Sequence, residues 1–141
     1  MVRMAYVQHL TRITIVRMKM PAVTGISKKV YDLLFERPLL SLEIKSADNI
    51  SALLEMEKGQ DIFVTPLLRD DLFAKGDGCI CEIREKMIYL QKVKKWDEAE
   101  IVTVRIQVKP KFVGKIKSVE KKTLGAGVDV EVEKAVRCSI S

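Results

Sequence analysis

Histidine is almost absent from the sequence, and its scarcity excludes several kinds of enzyme. The 141 residues contain one histidine, His9. Catalytic sites of the Ser-His-Asp or Cys-His kind need a histidine as the base, and the chain also lacks a Gly-x-Ser-x-Gly nucleophile motif. Because His9 stands in a segment that can be an extension of the domain, we expect no hydrolase of these classes.

Long apolar runs are also missing. Charged residues interrupt every apolar run after a few positions, far short of the roughly 20 residues that span a bilayer as a helix. Near the N-terminus, Gln8, His9, Thr11 and Arg12 break up any signal-peptide core. The three cysteines are an odd number that cannot pair completely within the chain, which is typical of a reducing compartment. We therefore expect a cytoplasmic protein without a membrane partner.

Signals for a metal site are weak. Cys79 and Cys81 stand two apart on a predicted strand, so their thiols face one side, and Cys138 is a third sulfur ligand at most. Structural zinc sites use four ligands, usually with two or more residues between cysteines. Cysteine is also among the most buried residue types. We expect core cysteines, no metal and no cofactor.

The net charge of +6 divides unevenly along the chain. Residues 1–31 carry six bases and no acid, residues 32–100 are net −5, and residues 101–141 are net +5. Basic ends on an acidic middle can steer RNA or another polyanion toward the protein. The ends can equally face the middle, within one chain or in another copy. The charge pattern leaves a polyanion and a homo-oligomer open as partners.

Length and composition indicate one domain. A chain of 141 residues falls within the usual size of a single domain, and no interior stretch looks like a linker. Residues 13–16 favour a strand that ends at Pro21, and Met18 stands just before the segment that opens the domain. We therefore treat residues 1–17 as an N-terminal extension or an extra strand and residues 18–141 as a single α+β domain.

Two short helices are predicted near the front of the chain. Ser27 is a good N-cap for a helix that ends before Pro38, because a residue that precedes proline is pushed out of the α-helical region. The cluster at residues 46–49 can cap a second helix, which Gly59 can terminate. Between them, residues 40–44 alternate apolar and polar side chains, the period-two pattern of a strand.

The middle of the chain predicts three more strands. Residues 62–65 form an apolar run that Pro66 stops. After a glycine-rich turn, residues 79–84 and 87–93 both favour strands. We predict that these two strands pair as a hairpin around residues 84–86.

Strict alternation marks two strands in the last third of the chain. In residues 102–109 the outward side chains are polar or basic, and in residues 128–133 they are acidic. If the two strands are antiparallel neighbours, the basic row faces the acidic one, and residues 115–127 form the connection. The whole pattern predicts an α+β fold, a small, mainly antiparallel β-barrel or curled sheet with two short helices near the N-terminus.

Basic residues at two places indicate an anion site. Lys28 and Lys29 stand in the first turn of the predicted helix, where free backbone N–H groups favour an anion. Lys109 and Lys111 precede Phe112, a mixture that can follow a nucleic-acid backbone while the ring stacks on a base. Solvated lysines beside acids, or on the rim of a hairpin, explain the same residues, and both interpretations stay open.

Three motifs carry a resemblance to a known family. They are Thr24-Gly25-Ile26-Ser27, residues 42–49 (LEIKSADN) and residues 59–65 (GQDIFVT). In these motifs the chain resembles an archaeal family of small proteins of unknown function. The resemblance implies a family and no mechanism.

The order of the predicted elements is similar to that of a group of RNA-binding β-barrels. They are related to the module of pseudouridine synthase and archaeosine transglycosylase (PUA-like), especially its ASC-1 homology branch. Some members of that branch bind RNA, and a few are small amidohydrolases of modified nucleosides that use lysine, threonine and glutamate. The resemblance implies that Thr24, Lys28, Glu43 and Lys45 are the residues to test for such roles, although a fold does not fix a function.

The sequence thus leads to three hypotheses. The first is a nucleic-acid or nucleotide-recognising module with a cleft between the Ser27 helix and the strand that carries Glu43 and Lys45. The second is a metal-free hydrolase that acts on a modified nucleoside in the same cleft, and the third is a protein-interaction subunit. In the first hypothesis two groups of bases hold phosphate: Lys28, Lys29 and Lys45 at the cleft, and Arg105, Lys109 and Lys111 on a second stripe.

Overall fold

The computed structural model describes residues 15–74, 76–93 and 99–136. Sheet predominates and both helices lie in the first half of the chain, so the predicted α+β class is confirmed. No helix in these ranges is long and apolar enough to cross a membrane. The elements, in chain order, are β1 (Arg17–Val23), α1 (Lys28–Leu33), β2 (Leu40–Ile44), α2 (Ala47–Leu54), β3 (Asp61–Val64), a 3₁₀ helix (Arg69–Ala74), β4 (Asp77–Val93), β5 (Ala99–Lys121) and β6 (Ala126–Ala135).

Five strands pair in a closed order. The order is β5–β4–β3–β1–β6, and β6 pairs again with β5, so the sheet is ring-like. β1 and β3 run parallel, whereas the other pairings among the described strands are antiparallel. β2 is the sixth strand and pairs with β5. The prediction of a mainly antiparallel, curled sheet is confirmed.

Strand β5 holds the sheet together because it pairs with three neighbours. Its residues 104–108 pair with β2, its residues 112–121 pair with β6, and β4 pairs with most of its length. The register shifts twice against β4 and twice against β6. A bulge increases the local twist and bends a strand, which lets β5 run beside β2 first and then turn toward β6.

Alternation along the strands divides the buried apolar side chains into two clusters. One cluster, which includes Phe63 and Ile80, takes residues from all five strands of the ring. The other includes their neighbours Ile62 and Cys81 and packs them against β2, the first half of β5 and Leu53 of α2. Successive residues of a strand point to opposite faces, so β3 and β4 are apolar on both faces.

Polar side chains bind the N-termini of both helices and the C-terminus of α2. Ser27 Oγ accepts a backbone N–H of α1 at 3.2 Å, and Ser46 Oγ accepts one of α2 at 3.4 Å, as the sequence predicts. At the other end of α2, Lys86 Nζ donates to the carbonyls of Leu53 at 3.1 Å and Met56 at 2.5 Å. A cation at a helix C-terminus complements the helix dipole, so Lys86 ties β4 to α2.

The predicted hairpin around residues 84–86 is wrong. Residues 77–93 form one strand, β4, which pairs with β5 from Asp77 opposite Lys115 to Val93 opposite Ala99. The charged run at 84–86 resembles a turn in the sequence. The structure accommodates it with a register shift between Ile83 and Glu85, and the strand continues.

The predicted contact between a basic row and an acidic row is wrong in register. β5 and β6 are antiparallel neighbours, but β6 pairs with residues 112–121, in the second half of β5. Arg105, in the first half, lies opposite Glu43 of β2. Glu131 of β6 instead forms an ion pair with Lys117 at 3.6 Å.

Several predicted element ends also need correction. Residues 115–121 belong to β5, and the turn between β5 and β6 is confined to residues 122–125. β1 begins at Arg17 and continues past Pro21, so the strand starts later than predicted. Residues 1–14, most of the predicted extension, lie outside the described residues. α2 ends at Leu54, before the predicted stop at Gly59.

We predict that Gly78→Ala destabilises the protein by about 1–3 kcal/mol, the usual cost of overpacking a core. A Cβ atom at Gly78 would overlap the ring of Phe63, which is fully buried and has no room to move. Gly127→Ala is the matched control in another strand, because its Cβ atom would come no closer than 3.8 Å to a neighbour. Urea unfolding of both variants measures the difference, and equal stabilities would contradict the packing described above.

Candidate functional site

A cleft of about 400 Å³ lies where three chain connections meet. One wall is the loop after β1, another is the end of β2 with the first turn of α2, and the third is the loop after β3. The lining residues are 24–26, 43–46, 48–49 and 68–69. Loops held on a rigid scaffold are where binding residues concentrate, so this cleft is the candidate site.

The first wall is a short loop that the neighbouring strand end holds in place. Gly25 has a φ of +70°, a conformation that glycine adopts without strain. The N–H of Gly25 donates to the Leu67 carbonyl at 2.8 Å, and that of Ile26 donates to the Thr65 carbonyl at 3.2 Å. The loop backbone is therefore fixed before any ligand binds.

Asn49 joins the first wall to the second. Its Oδ1 accepts the backbone N–H of Thr24 at 2.9 Å and the Thr24 hydroxyl at 3.3 Å, and its Nδ2 donates to the Thr24 carbonyl at 2.8 Å. Asn49 is one of two buried polar side chains among the described residues. A buried amide with both ends bonded is costly to disturb, so this clamp sets the width of the cleft.

Arg69 binds the third wall, and Asp48 the second wall, to the turn between β5 and β6. Arg69 Nε donates to the Gly125 carbonyl at 3.0 Å, and a second guanidinium nitrogen donates to the Lys122 carbonyl. Asp48 Oδ1 accepts the N–H of Gly125 at 3.1 Å and lies 3.9 Å from Arg69 Nε. These two opposite charges therefore serve the fold as well as lining the cleft.

Glu43 lines the cleft and is held by Arg105. The guanidinium donates to Glu43 Oε2 at 2.8 Å, and it also lies 5.2 Å from the centre of the Tyr89 ring. The hydrogen bond from Arg105, and then its charge, lower the pKa of the Glu43 carboxyl below its ordinary value. Glu43 is therefore a carboxylate at neutral pH, suited to accept hydrogen bonds.

Lys45 is the cation of the cleft that the fold leaves available. Its side chain is exposed and forms no ion pair within the described residues, and its charge helps Arg105 to lower the pKa of the Glu43 carboxyl. The hydroxyl of Thr24, another lining residue, donates its hydrogen bond to Asn49 Oδ1. Its oxygen keeps lone pairs that can accept a hydrogen bond from a ligand. An ammonium group opposite a fixed acceptor can bind a ligand with an anionic end and a donor.

The other predicted basic residues lie outside the lining. Lys28 forms an ion pair with Asp32 at 3.1 Å on the exposed side of α1, and Lys29 is exposed beside it. Lys109 is exposed on β5. The structure therefore brings Glu43 and Lys45 together at the cleft and leaves Lys28 and Lys29 on the adjoining helix.

Lys111 of the predicted second stripe is already paired. Its Nζ lies 3.0 Å from Asp61 Oδ1, an atom that is buried and receives no hydrogen bond of good geometry within the described residues. Lys111 and Asp61 therefore attract each other as opposite charges, but their geometry does not make a hydrogen bond. Arg105 is similarly paired with Glu43, so two of the three stripe residues have acidic partners.

A second hollow, of about 460 Å³, lies over β1, β5 and β6. It contains two bases, Lys19 and Lys122, and two acids, Glu120 and Asp129. Asp129 lies 3.5 Å from Arg17. Its walls are mostly regular strand, whereas the cleft is built from loops on a scaffold, so we regard the cleft as the better candidate.

The interpretation of Cys79 and Cys81 as core residues is confirmed. Both are buried, with their sulfur atoms 3.6 Å apart. Burial, followed by the hydrogen bond to Cys79, raises the pKa of the Cys81 thiol well above its ordinary value. Within the described ranges no three histidine, cysteine, aspartate or glutamate side chains are grouped to hold a metal ion.

Asn49, Asp48 and Arg69 are site residues that sequence reasoning missed. In the sequence the cluster at 46–49 is part of a family motif and predicts helix caps, which accounts for Ser46 but not for the contacts of Asn49 with a loop 25 positions earlier. Arg69 begins the 3₁₀ helix, and no periodic pattern in the sequence marks it as a site residue. A buried asparagine is recognisable only once β1 and α2 are known to be neighbours.

One family model matches most of the chain. It is described as "Protein of unknown function (DUF473)" and matches residues 18–130, a range that includes every residue of the cleft. No curated protein matches the chain. The resemblance to a family of unknown function is confirmed, and the likeness to PUA-like β-barrels stays a prediction.

We predict that Asn49→Ala lowers the free energy of unfolding by about 2–4 kcal/mol, because it removes a buried amide and leaves the partly buried N–H and C=O groups of Thr24 without their partners. Ser46→Ala is the control at the same helix, where losing an N-cap costs about 1 kcal/mol. Denaturant unfolding compares the two. If Asn49→Ala costs no more than Ser46→Ala, the clamp does not hold the walls of the cleft.

A thiol assay tests the environment of the two core cysteines. In Cys138→Ser, which leaves Cys79 and Cys81, we expect no reaction with Ellman's reagent in the folded protein and two equivalents after unfolding in guanidinium. Burial and the raised pKa of Cys81 both suppress the thiolate that reacts. Rapid labelling of the native protein would contradict this description.

Proposed function

The chain belongs to the DUF473 family of proteins of unknown function, and from the geometry of its cleft we propose that it is a nucleic-acid or nucleotide-recognising module. The cleft holds one nucleotide, either free or as part of a single strand. The observation that carries the proposal is an available ammonium group, Lys45, on one wall of a preformed cleft that also has apolar and hydrogen-bonding walls.

The size of the cleft supports a small ligand of this kind. Its volume of about 400 Å³ lies within the range of small-molecule pockets, roughly 300–1,000 Å³. A larger surface would be needed to recognise a duplex by its shape. The volume therefore favours a single nucleotide over a duplex.

The charges of the cleft support an anionic ligand at one end. Lys45 can bind a phosphate as a point charge. The charge of the Glu43 carboxylate is offset by Arg105 at 2.8 Å, and Asp48 lies 3.9 Å from Arg69, so each acid already has a basic partner besides the lysine. A phosphate near Lys45 therefore meets a favourable local potential.

The apolar groups of the cleft support a flat ring at the other end. Leu68 lies over Gly25, with its Cδ2 atom 3.5 Å from the position that a Cβ atom would take there. Leu68 is 62% exposed, and Ile26 is half-buried beside it. An exposed leucine at the rim of a polar cleft gains by covering a base or sugar.

Rigidity also supports recognition. The loop at 24–26 is held by two backbone hydrogen bonds and by the three bonds of Asn49. A preformed site loses less conformational entropy when a ligand binds. Lys28 and Lys29 on the adjoining helix, with Lys109 on β5, are then places where the backbone of a longer strand continues.

An enzyme that acts on a modified nucleoside is the second candidate. Thr24, Glu43 and Lys45 line the cleft, but Lys28, the fourth residue of that hypothesis, does not. Glu43 is engaged by Arg105, which lowers its pKa and makes it a weak general base. These contacts favour binding over catalysis.

Three further points belong to the same proposal. The likeness to PUA-like β-barrels is supported by the order of the elements, and an archaeal origin by the motifs at 24–27, 42–49 and 59–65. A cytoplasmic location is supported by the unpaired thiols of Cys79 and Cys81. All three are independent of the binding test below.

The test is fluorescence anisotropy with labelled single-stranded RNA, duplex RNA and DNA at about 50 and 200 mM salt. We expect single strands to bind more tightly than duplexes, and binding to weaken as salt rises. Lys45→Glu should weaken binding at least about tenfold. The double variant Lys28→Glu/Lys29→Glu should weaken the binding of long single strands more than that of a labelled mononucleotide, which is measured as a further probe.

Lys58→Glu is the matched control. Lys58 is exposed in the turn before β3 and does not line the cleft. Lys58→Glu therefore changes the net charge by the same amount as Lys45→Glu and leaves the cleft lining unchanged. Equal losses for Lys45→Glu and Lys58→Glu would mean that the overall charge drives binding, and the proposal would fail. Absence of binding to every probe would contradict it as well.

A further inference from the structure

Glu43 and Lys45 stand two residues apart on the wall of the cleft that β2 supplies. Leu42 and Ile44, which alternate with them, are buried. Glu43 and Lys45 are exposed, and both line the cleft. Side chains at positions i and i+2 of an extended chain point to the same face, about 6–7 Å apart. The cleft therefore presents a carboxylate and an ammonium group side by side on one wall.

The Glu43 carboxylate keeps most of its capacity to accept hydrogen bonds. Within the described residues its side chain accepts one hydrogen bond, which Arg105 donates to Oε2 at 2.8 Å, whereas a carboxylate offers about four lone-pair sites. Half of the Glu43 side chain is exposed, so a ligand can reach the remaining sites. The hydrogen bond from Arg105, and then its charge, lower the pKa of the carboxyl and keep it ionised at neutral pH. Glu43 therefore favours ligand groups that donate a hydrogen bond.

Asp48, the other acid of the cleft, is less suited to bind a ligand. Its Oδ1 atom accepts the N–H of Gly125 at 3.1 Å and lies 3.9 Å from Arg69 Nε. Its side chain is 37% exposed, against 50% for Glu43. Asp48 is bound to the turn between β5 and β6, so Glu43 is the acid that stays available beside Lys45.

The two charges match two parts of one ribonucleotide. A ribonucleotide carries a phosphate and, at the other side of its sugar, hydroxyl groups that can donate hydrogen bonds. An ammonium group binds phosphate, and a carboxylate accepts hydrogen bonds from ribose hydroxyls, as an acidic residue does in dinucleotide-binding folds. A deoxyribonucleotide lacks the 2′ hydroxyl and therefore has one donor fewer to offer a carboxylate.

We propose that Glu43 accepts a hydrogen bond from the ribose 2′ hydroxyl of the nucleotide whose phosphate lies at Lys45, so that the cleft selects ribonucleotides over deoxyribonucleotides. The inference rests on the proposed nucleotide site and adds to it the class of sugar. The 2′ hydroxyl is the group by which a protein distinguishes RNA from DNA at a given site. Arg105 offsets the repulsion between the carboxylate and the phosphate, so the acid can lie beside Lys45 and still read the sugar.

The test compares short, labelled single strands of one sequence, with uracil in each, that differ only at the 2′ position. The sugars are ribose, deoxyribose and 2′-fluoro-deoxyribose, and fluorescence anisotropy measures each Kd. We expect RNA to bind about five- to tenfold more tightly than DNA, the size of one hydrogen bond at a half-exposed site. The 2′-fluoro strand should bind like DNA, because it keeps an RNA-like sugar shape but has no 2′ proton to donate.

Glu43→Ala tests the residue itself. The variant removes the acceptor, so RNA and DNA should bind equally, and DNA should bind no more weakly than to the unaltered protein because a negative charge near the phosphate is lost. Circular dichroism checks the fold, which we expect to be kept because an exposed ion pair such as Glu43–Arg105 contributes little to stability.

Glu57→Ala is the matched control. Glu57 is exposed and does not line the cleft, and its removal changes the net charge by the same amount as Glu43→Ala. The control should keep the preference for RNA. The ratio of the two Kd values is the informative quantity, because a change in net charge alone alters the binding of RNA and DNA together.

The outcomes separate this inference from the proposed function. If RNA and DNA bind equally and Lys45→Glu weakens both, the nucleotide site stands and the ribose contact is overturned. A 2′-fluoro strand that binds like RNA, or a preference for RNA that survives Glu43→Ala, overturns the ribose contact as well. A Glu43-dependent preference for one base that ignores the 2′ group would assign the carboxylate to a base edge and contradict the inference. If no strand binds, the proposed function and the inference both fail.

Discussion

The hydrogen-bonding demands of strand β5 are the constraint on which the rest of the structure depends. One strand has to pair with β4 along most of its length, with β2 over residues 104–108 and with β6 over residues 112–121. The bulges in these pairings bend β5 so that a single strand serves three partners. β2 is paired with β5 and leads directly into α2. The pairing of β2 with β5 therefore sets the position of the cleft wall at 43–49.

The cleft itself depends on a buried polar contact. Asn49 satisfies both backbone groups of Thr24 and thereby joins the end of β1 to the start of α2. Arg69 binds the third wall, and Asp48 the second wall, to the turn between β5 and β6. With these polar groups committed, Lys45 is left as an available cation beside Leu68, and this combination of a charge and an apolar rim is the basis of the proposed nucleotide site.

Local patterns were enough to predict the helices and most strands. Ser27 and Ser46 are caps because capping depends on a few neighbouring residues, and Cys79 and Cys81 are buried as their residue type favours. Long-range pairing was not predictable: the charged run at 84–86 resembles a turn, and only the bulge in β4 shows that the strand continues. The partners of Arg105 and Asn49 likewise depend on which strands become neighbours, and alternation within one strand carries no information about that choice.

The most direct measurement of the central claim is a titration of the ¹⁵N-labelled protein with mononucleotides and a short single-stranded RNA, followed by ¹H–¹⁵N correlation spectra. The account predicts chemical-shift changes that concentrate at residues 24–26, 43–49 and 68–69 and that are lost in Lys45→Glu. Changes confined to other parts of the sheet, or saturating changes that Lys45→Glu leaves intact, would contradict a nucleotide site in this cleft.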